Sequence, residues 1–453
     1  MELNDNKDVL NFHLTKKHIF WFLAALVLSG TLVRFAAAYH RVHYFDLSFY
    51  VDWSAGAVKD LFGVYENVSN LDYPPLFIFP LYITGKLLEM PWVYELESFK
   101  MLALKGWQML FDIATIPLLY LVLRRHSKLA GLMAASLWTV NPTIIMNSSY
   151  WGQTDSIMIF LLLLAFFLLT GHKPVWSGIV MTLACLMKFQ SLYFAPLYAL
   201  YLLTSYRGKK IGQTITAGAG VAIGIFAPFM MRSGWKLPFE IYMGGFEQYP
   251  AACLNAFNYY GANGLNYEYA DVVLFGNLTA ENLSMMIIGL SLMMLLFFYF
   301  TASEKSVWLL GFIFMQTIFM FTTRMHERYQ IPVLAFGLIA CFIHKSLLLF
   351  ISYMGITVIT FISHFIVMEN MISYPWTTWM EHYDMIIIVM SMINLAVYLI
   401  TLWISVRILY RHGVQDLVTS FLACLPKKKL TAPIVGPVVL QEEPACGFPP
   451  KLE

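Results

Sequence analysis

Apolar runs recur along the whole chain, separated by short polar turns, and no stretch alternates with the period of two that a barrel strand requires. In lipid the backbone must satisfy itself, so this pattern predicts an all-α polytopic membrane protein with about twelve transmembrane helices. The expected segments are 19–38, 101–123, 129–147, 154–170, 174–187, 189–205, 211–230, 284–301, 307–322, 330–343, 347–368 and 385–406. Two further apolar stretches, "LSFYVDWSAGAVKDLF" (47–62) and "PPLFIFPLYITGKLLEM" (74–90), are short or broken by proline. They suit helices lying along the membrane interface, the second opened by Pro74 and Pro75.

The basic residues fix the orientation. Arg124-Arg125-His126, His172-Lys173, "YRGKK" (206–210), His344-Lys345 and "RILYRHG" (407–413) all fall on one side if both ends are cytoplasmic. Reading 74–90 as a crossing helix would place Arg124 and Arg125 outside and invert every later basic turn. Lys16 and Lys17 precede an apolar run longer than a secretory signal core, so it is expected to remain as the first transmembrane helix. Residues 1–425 form one transmembrane domain, with a first outer loop at 39–100 and a large outer loop at 231–283; the Pro-rich stretch 426–453 is expected to be a disordered cytoplasmic tail. Asp46, Asp52, Asp72, Gln153, Asp155, Lys188, Glu247, Arg324, His326, Glu327 and Arg328 then collect on the outer face, and the helix centres read as free of charge.

Composition agrees. The 453 residues are 59% hydrophobic and 12% charged, with a mean hydropathy of +0.65; soluble domains carry about 25% charged residues. A net charge of +2 gives no sign of a nucleic-acid partner. Five cysteines without CxxC spacing support neither a disulfide framework nor a zinc site.

Several short stretches share an order. An aspartate stands at the mouth of the first outward helix, Trp53 follows seven residues on, and "LDYPPL" (71–76) comes next. "YWGQTDS" (150–156), "LMKFQSLYFAPL" (186–197), "NAFNYYG" (255–261) and "RMHERYQIPVL" (324–334) follow. In this order the chain resembles the GT-C superfamily of integral-membrane glycosyltransferases across residues 19–345. It is most similar to enzymes that use dolichyl- or polyprenyl-phosphate-linked glucose or mannose. The loop after 230 lacks the long acidic signature of the eukaryotic lumenal enzymes, which favours a bacterial-type member in a plasma membrane; a eukaryotic one would sit in the endoplasmic reticulum membrane.

The resemblance implies a GT-C fold with two interfacial helices in the first outer loop. It also implies transfer of a sugar from a lipid phosphate to a hydroxyl of a glycan, lipid or protein acceptor at the extracytoplasmic face, among membrane lipids. That chemistry needs a base for the acceptor hydroxyl, cations for the departing phosphate and a rigid sugar pocket. Asp46 matches the family's catalytic aspartate and reads as the base; as a residue it reads equally as the N-cap of the helix starting at Leu47. Asp52 lies about 240° around that helix from Asp46, so it is a supporting residue beside Trp53. Arg324, His326, Arg328 and Lys188 are the candidates for the donor phosphate, though a lysine at a helix end also snorkels for no other reason. Gln153, Asp155, Gln190, Asn255, Asn258 and Glu327 are candidates for the substrate pocket, and Asp72-Tyr73 for the pocket or for capping the second interfacial helix. No cofactor is expected. Asp46 with Asp155 offers a set of hard oxygen ligands for Mg²⁺ or Mn²⁺, but the chain has no DxD at either position. The competing reading is a transporter or flippase of lipid-linked sugars, which should place ionisable groups near the bilayer midplane within repeated halves.

Overall fold

A computed structural model describes residues 14–40, 43–373 and 384–415. Its longer helices are α1 (Lys16–His40), α2 (Tyr44–Lys59), α3 (Ile78–Leu88), α4 (Glu97–Leu123), α5 (Lys128–Thr139), α6 (Asp155–Thr170), α7 (Pro174–Met187) and α8 (Ala195–Ser205). There follow α9 (Gly208–Ser233), α10 (Leu237–Glu247), α11 (Ala280–Thr301), α12 (Val307–Phe321), α13 (Ile331–His344), α14 (Leu347–Ser373) and α15 (Asp384–Leu409). Among the described residues strand is confined to short pairs. β1 (Cys253–Leu254) runs parallel to β4 (Met325–His326), and β2 (Val273–Phe275) pairs antiparallel with β3 (Leu278–Thr279). The tail expected at 426–453 lies outside the described residues.

The chain is a multi-pass, all-α membrane protein. Apolar helix occupies each of the twelve expected segments, but among the described residues six helices are long and apolar enough to cross a membrane by themselves, or seven with the bent pair Lys128–Thr139 and Pro142–Trp151. A fifteen-residue helix such as α12 rises about 22 Å against a hydrocarbon core of about 30 Å. Length alone therefore does not make α6, α7 and α12 full crossings. α12 and α13 are apolar on every side and buried along nearly all their length, the expected fate of such a helix at the centre of a bundle. α1 and α15 expose most of their apolar surface, as lipid-facing helices do.

Two expectations need correction. Residues 129–147 are not one helix. Asn141 before Pro142 leaves helical geometry, as a residue preceding proline tends to, and its side-chain oxygen caps the amides of Thr143 and Ile144; the helix restarts bent by 49°. Nor are the helix centres free of charge. Arg34 in α1 and Asp112 in α4 are fully buried and joined by two bonds of 2.6 and 3.0 Å. Asp112 also accepts from Trp138 Nε1 and Ser148 Oγ, while Arg34 donates to the carbonyls of Gly30 and Thr139.

α2 and α3, in the stretch expected as the first outer loop, pack against each other and against α4. Pro74 and Pro75 do not start α3; their carbonyls accept the amides of Phe77 and Ile78 in a turn before it. Asp72 and Tyr73 therefore cap nothing there. The closest approach is at Gly85, where a Cβ would lie 2.5 Å from both the Ser54 carbonyl oxygen and Val58. A side chain at this backbone contact must part α2 and α3. Gly85→Val should cost about 1–3 kcal/mol and lower the thermal midpoint in detergent, whereas Gly220→Ala, in open space within α9, should not lower it.

Candidate active site

A π-helical turn, Met146–Trp151, follows the Asn141-Pro142 break and ends at Gly152 in left-handed geometry. There φ is 87° and a Cβ would meet Lys105 at 2.9 Å, so glycine is required twice over. The turn delivers two donors to one carboxylate: Trp151 Nε1 lies 2.7 Å and Gln153 Nε2 2.5 Å from Asp46 Oδ2. Asp46 is not the N-cap of α2. That role belongs to His43, whose Nδ1 accepts the Asp46 amide at 3.2 Å. The same Nδ1 is 3.6 Å from Asp46 Oδ2, and the imidazole stacks on Trp151 at 4.8 Å.

Burial alone would push the Asp46 carboxyl up. The His43 ring, the Arg328 guanidinium and the two hydrogen-bond donors outweigh it and hold the group below the usual carboxylate range. His43 is itself pushed down by burial, against the opposing pull of Asp46. It is neutral at pH 7, which leaves Arg328, Trp151 and Gln153 to keep Asp46 ionised. Burial raises Asp72 to about 6. His326 is driven well below its ordinary value by burial, then by Arg328 and Lys188, and so is a neutral ring rather than a cation.

Lys188 closes a buried ion pair with Asp155 at 2.8 Å, and Asn147 reaches the other Asp155 oxygen at 3.3 Å. Both oxygens of the carboxylate considered as a metal partner for Asp46 are thus engaged. Among the described residues no group of three or more His, Cys, Asp or Glu side chains could hold a metal ion. Arg328 pairs with Glu327 at 3.1 Å and lies over the rings of Trp151 and Tyr329.

Two clefts meet at these residues. The first, about 620 Å³ and open to solvent, includes Trp53, Asp72, Tyr73, Lys188 and Gln190 in its walls. The second, about 580 Å³, includes His43, Trp151, Asn255, His326 and Glu327. Asp46, Tyr249 and Arg328 line both. Several residues of these walls carry a buried polar atom with no partner among the described residues: Trp53 Nε1, Gln153 Oε1, Gln190 Oε1, His326 Nε2 and Arg328 Nε.

Four of the sequence candidates do not line either cleft. Asp52 sits on the exposed face of α2. Arg324, with a φ of 62°, turns to Glu281 at 2.9 Å. Asn258 is a fully buried N-cap for Tyr260 and Gly261. Asp155 lies beneath the first cleft, behind Lys188. Sequence reasoning passed over His43, Trp151 and Tyr329, of which Trp151 and Tyr329 lay within the quoted motifs.

Residues 90–232, less than half of the chain, match the family model described as "Dolichyl-phosphate-mannose-protein mannosyltransferase". A stretch of 126 residues is 29% identical to GPI mannosyltransferase 1 of Kluyveromyces lactis, covering 27% of this chain and 31% of that protein. Both matches support a GT-C membrane glycosyltransferase. The family match contains the π-turn, Gln153, Asp155, Lys188 and Gln190; Asp46 and Arg328 lie outside it.

Lys188→Met leaves Asp155 as an uncompensated buried charge and should cost about 3–5 kcal/mol; the double variant Lys188→Met/Asp155→Leu should recover most of this in denaturant titrations. Asp72 supplies a pH test. With a folded value near 6 against about 3.9 when unfolded, its ionised form disfavours the folded state. The penalty is absent below the unfolded value and complete above the folded one. Asp72→Asn should therefore raise the thermal midpoint more at pH 7.5 than at pH 4.5.

Proposed function

With residues 90–232 matching a mannosyltransferase family as the premise, we propose that this chain transfers a hexose, mannose first among the candidates, from a polyprenyl- or dolichyl-phosphate donor to an acceptor hydroxyl at the extracytoplasmic membrane face. The observation that carries the reading is the wall shared by the two clefts, where a carboxylate and a guanidinium stand together. Two substrates held in adjoining clefts meet at that wall. The reaction needs one base and one cation there.

The acceptor hydroxyl loses its proton to Asp46 as its oxygen bonds to the anomeric carbon. The bond from that carbon to the phosphate oxygen breaks on the opposite side, and the lipid phosphate leaves with the electron pair. In-line displacement inverts the anomeric configuration. A carboxylate held below its usual range is ionised at neutral pH and ready to accept, and the hydroxyl becomes acidic only as the new bond forms. Arg328 stabilises the charge developing on the phosphate, with Lys188 adding its field from the first cleft. His326, being neutral, serves as a hydrogen-bonding partner for a sugar hydroxyl instead of a phosphate cation. Trp53, Tyr73 and Tyr249 offer flat apolar faces for a pyranose ring.

The transport reading has less to support it. The intramembrane charges Arg34 and Asp112 are spent on each other and line neither cleft, and no comparison points to a transporter.

The test is transfer of radiolabelled sugar from a panel of polyprenyl-phosphate sugars by the purified protein. Asp46→Asn should reduce turnover by about a hundredfold or more, Arg328→Met by a similar factor, and EDTA should leave it unchanged. Sustained turnover in Asp46→Asn would remove Asp46 as the base. Lipid-sugar movement across proteoliposomes without transfer would replace the enzyme reading altogether.

A further inference from the structure

Lys105, Gln108 and Asp112 are buried within α4, and none of them lines either cleft. Spacings of three and four residues stack them on one face of the helix. Each reaches a different residue of the π-turn or its end. Asp112 Oδ2 accepts from Ser148 Oγ at 2.6 Å, Lys105 Nζ donates to the Tyr150 carbonyl at 2.7 Å, and Gln108 Nε2 donates to the Gly152 carbonyl at 3.0 Å. The Gln108 carbonyl accepts Ser156 Oγ at 2.8 Å, tying in the start of α6. Arg34 balances the charge of Asp112.

We propose that this polar stripe is a positioning device, holding the π-turn in register so that Trp151 and Gln153 meet the Asp46 carboxylate. The assignment rests on Asp46 being the base. A π-turn holds one more residue than the α-turn it replaces. If it relaxed, everything downstream would rotate by about 100° and carry both donors off Asp46. Such turns are rare, and the contacts from α4 are those available to hold this one in register. Polar groups inside an apolar helix are costly and persist where they do something. Here all three meet one short stretch, while Lys105 also donates to the Ala38 carbonyl at 3.1 Å and Asp112 also holds Arg34 and Trp138.

The experiment reads the geometry without substrate. The protein is labelled with 5-fluorotryptophan, and its Trp151 ¹⁹F resonance is assigned by its loss in Trp151→Phe. Asp46→Asn marks how far that resonance moves when the indole loses its carboxylate. Gln108→Leu should move it comparably and lower kcat by about tenfold to a hundredfold, with KM within threefold of wild type. Thr115→Val alters the same face of α4 at a hydroxyl bonded only within its own helix, and should move neither. If Gln108→Leu does not fold, Ser148→Ala removes a neighbouring tie and is read in the same way. An unmoved Trp151 resonance in the folded variant would overturn the proposal. If Asp46→Asn retained transfer, the base assignment would fail while the ¹⁹F comparison still decided whether the stripe sets the turn.

Discussion

A carboxylate at a membrane edge can act as a base only while it stays ionised, and every apolar neighbour works against that. At Asp46 the opposition is met by groups from two distant parts of the chain: Trp151 and Gln153 about a hundred residues on, and Arg328 far beyond. The fold is arranged around bringing these together. α2 carries Asp46 in its first turn. The break at Asn141-Pro142 turns the next helix so that its end points at that carboxylate. Parallel pairing of β1 with β4 ties the 253–254 strand to His326, two residues before Arg328, which places the segment after α10 beside the cluster.

Much of this was legible because ionisable residues are rare in such a chain and conspicuous where they occur. Asp46, Gln153, Lys188 and Arg328 stood out at expected outer helix ends, and all four line the first cleft. The helix segments were legible from the same contrast of apolar runs with charged turns. Residues inside the runs were hidden. Lys105, Gln108 and Asp112 lie within a segment whose average character is apolar, and a reading built on averages passes over three polar positions in a long helix. Yet their spacing, K-x-x-Q-x-x-x-D, was a visible signal for one buried face. Arg34 was masked in the same way.

Other differences arose because a residue's type does not give its direction. Arg324 and Arg328 sit four apart in one motif, but left-handed geometry at Arg324 sends its side chain to Glu281. Asn258 looked like a sugar ligand because asparagine hydrogen-bonds well, and the same property makes it an N-cap. His43 looked like one more polar loop residue. Only the fold reveals that its ring faces the Asp46 carboxylate from one turn away.

The interior and the clefts treat charge differently, and the contrast bears on function. In the Arg34–Asp112 pair both carboxylate oxygens and all three guanidinium nitrogens have partners, as a charge in a low-dielectric bundle requires. At the clefts, Arg328 spends one nitrogen on Glu327 while its Nε has no partner among the described residues, and the indole of Trp53, the amide oxygens of Gln153 and Gln190 and the Nε2 of His326 share that condition. A buried polar atom without a partner costs about 1–3 kcal/mol, so several gathered in one place oppose folding unless something else binds them. The group that would satisfy them must offer donors to amide oxygens and acceptors to N–H groups at once, beside a cation and between aromatic faces. A hydroxyl-rich ring carrying a phosphate meets all of these demands together.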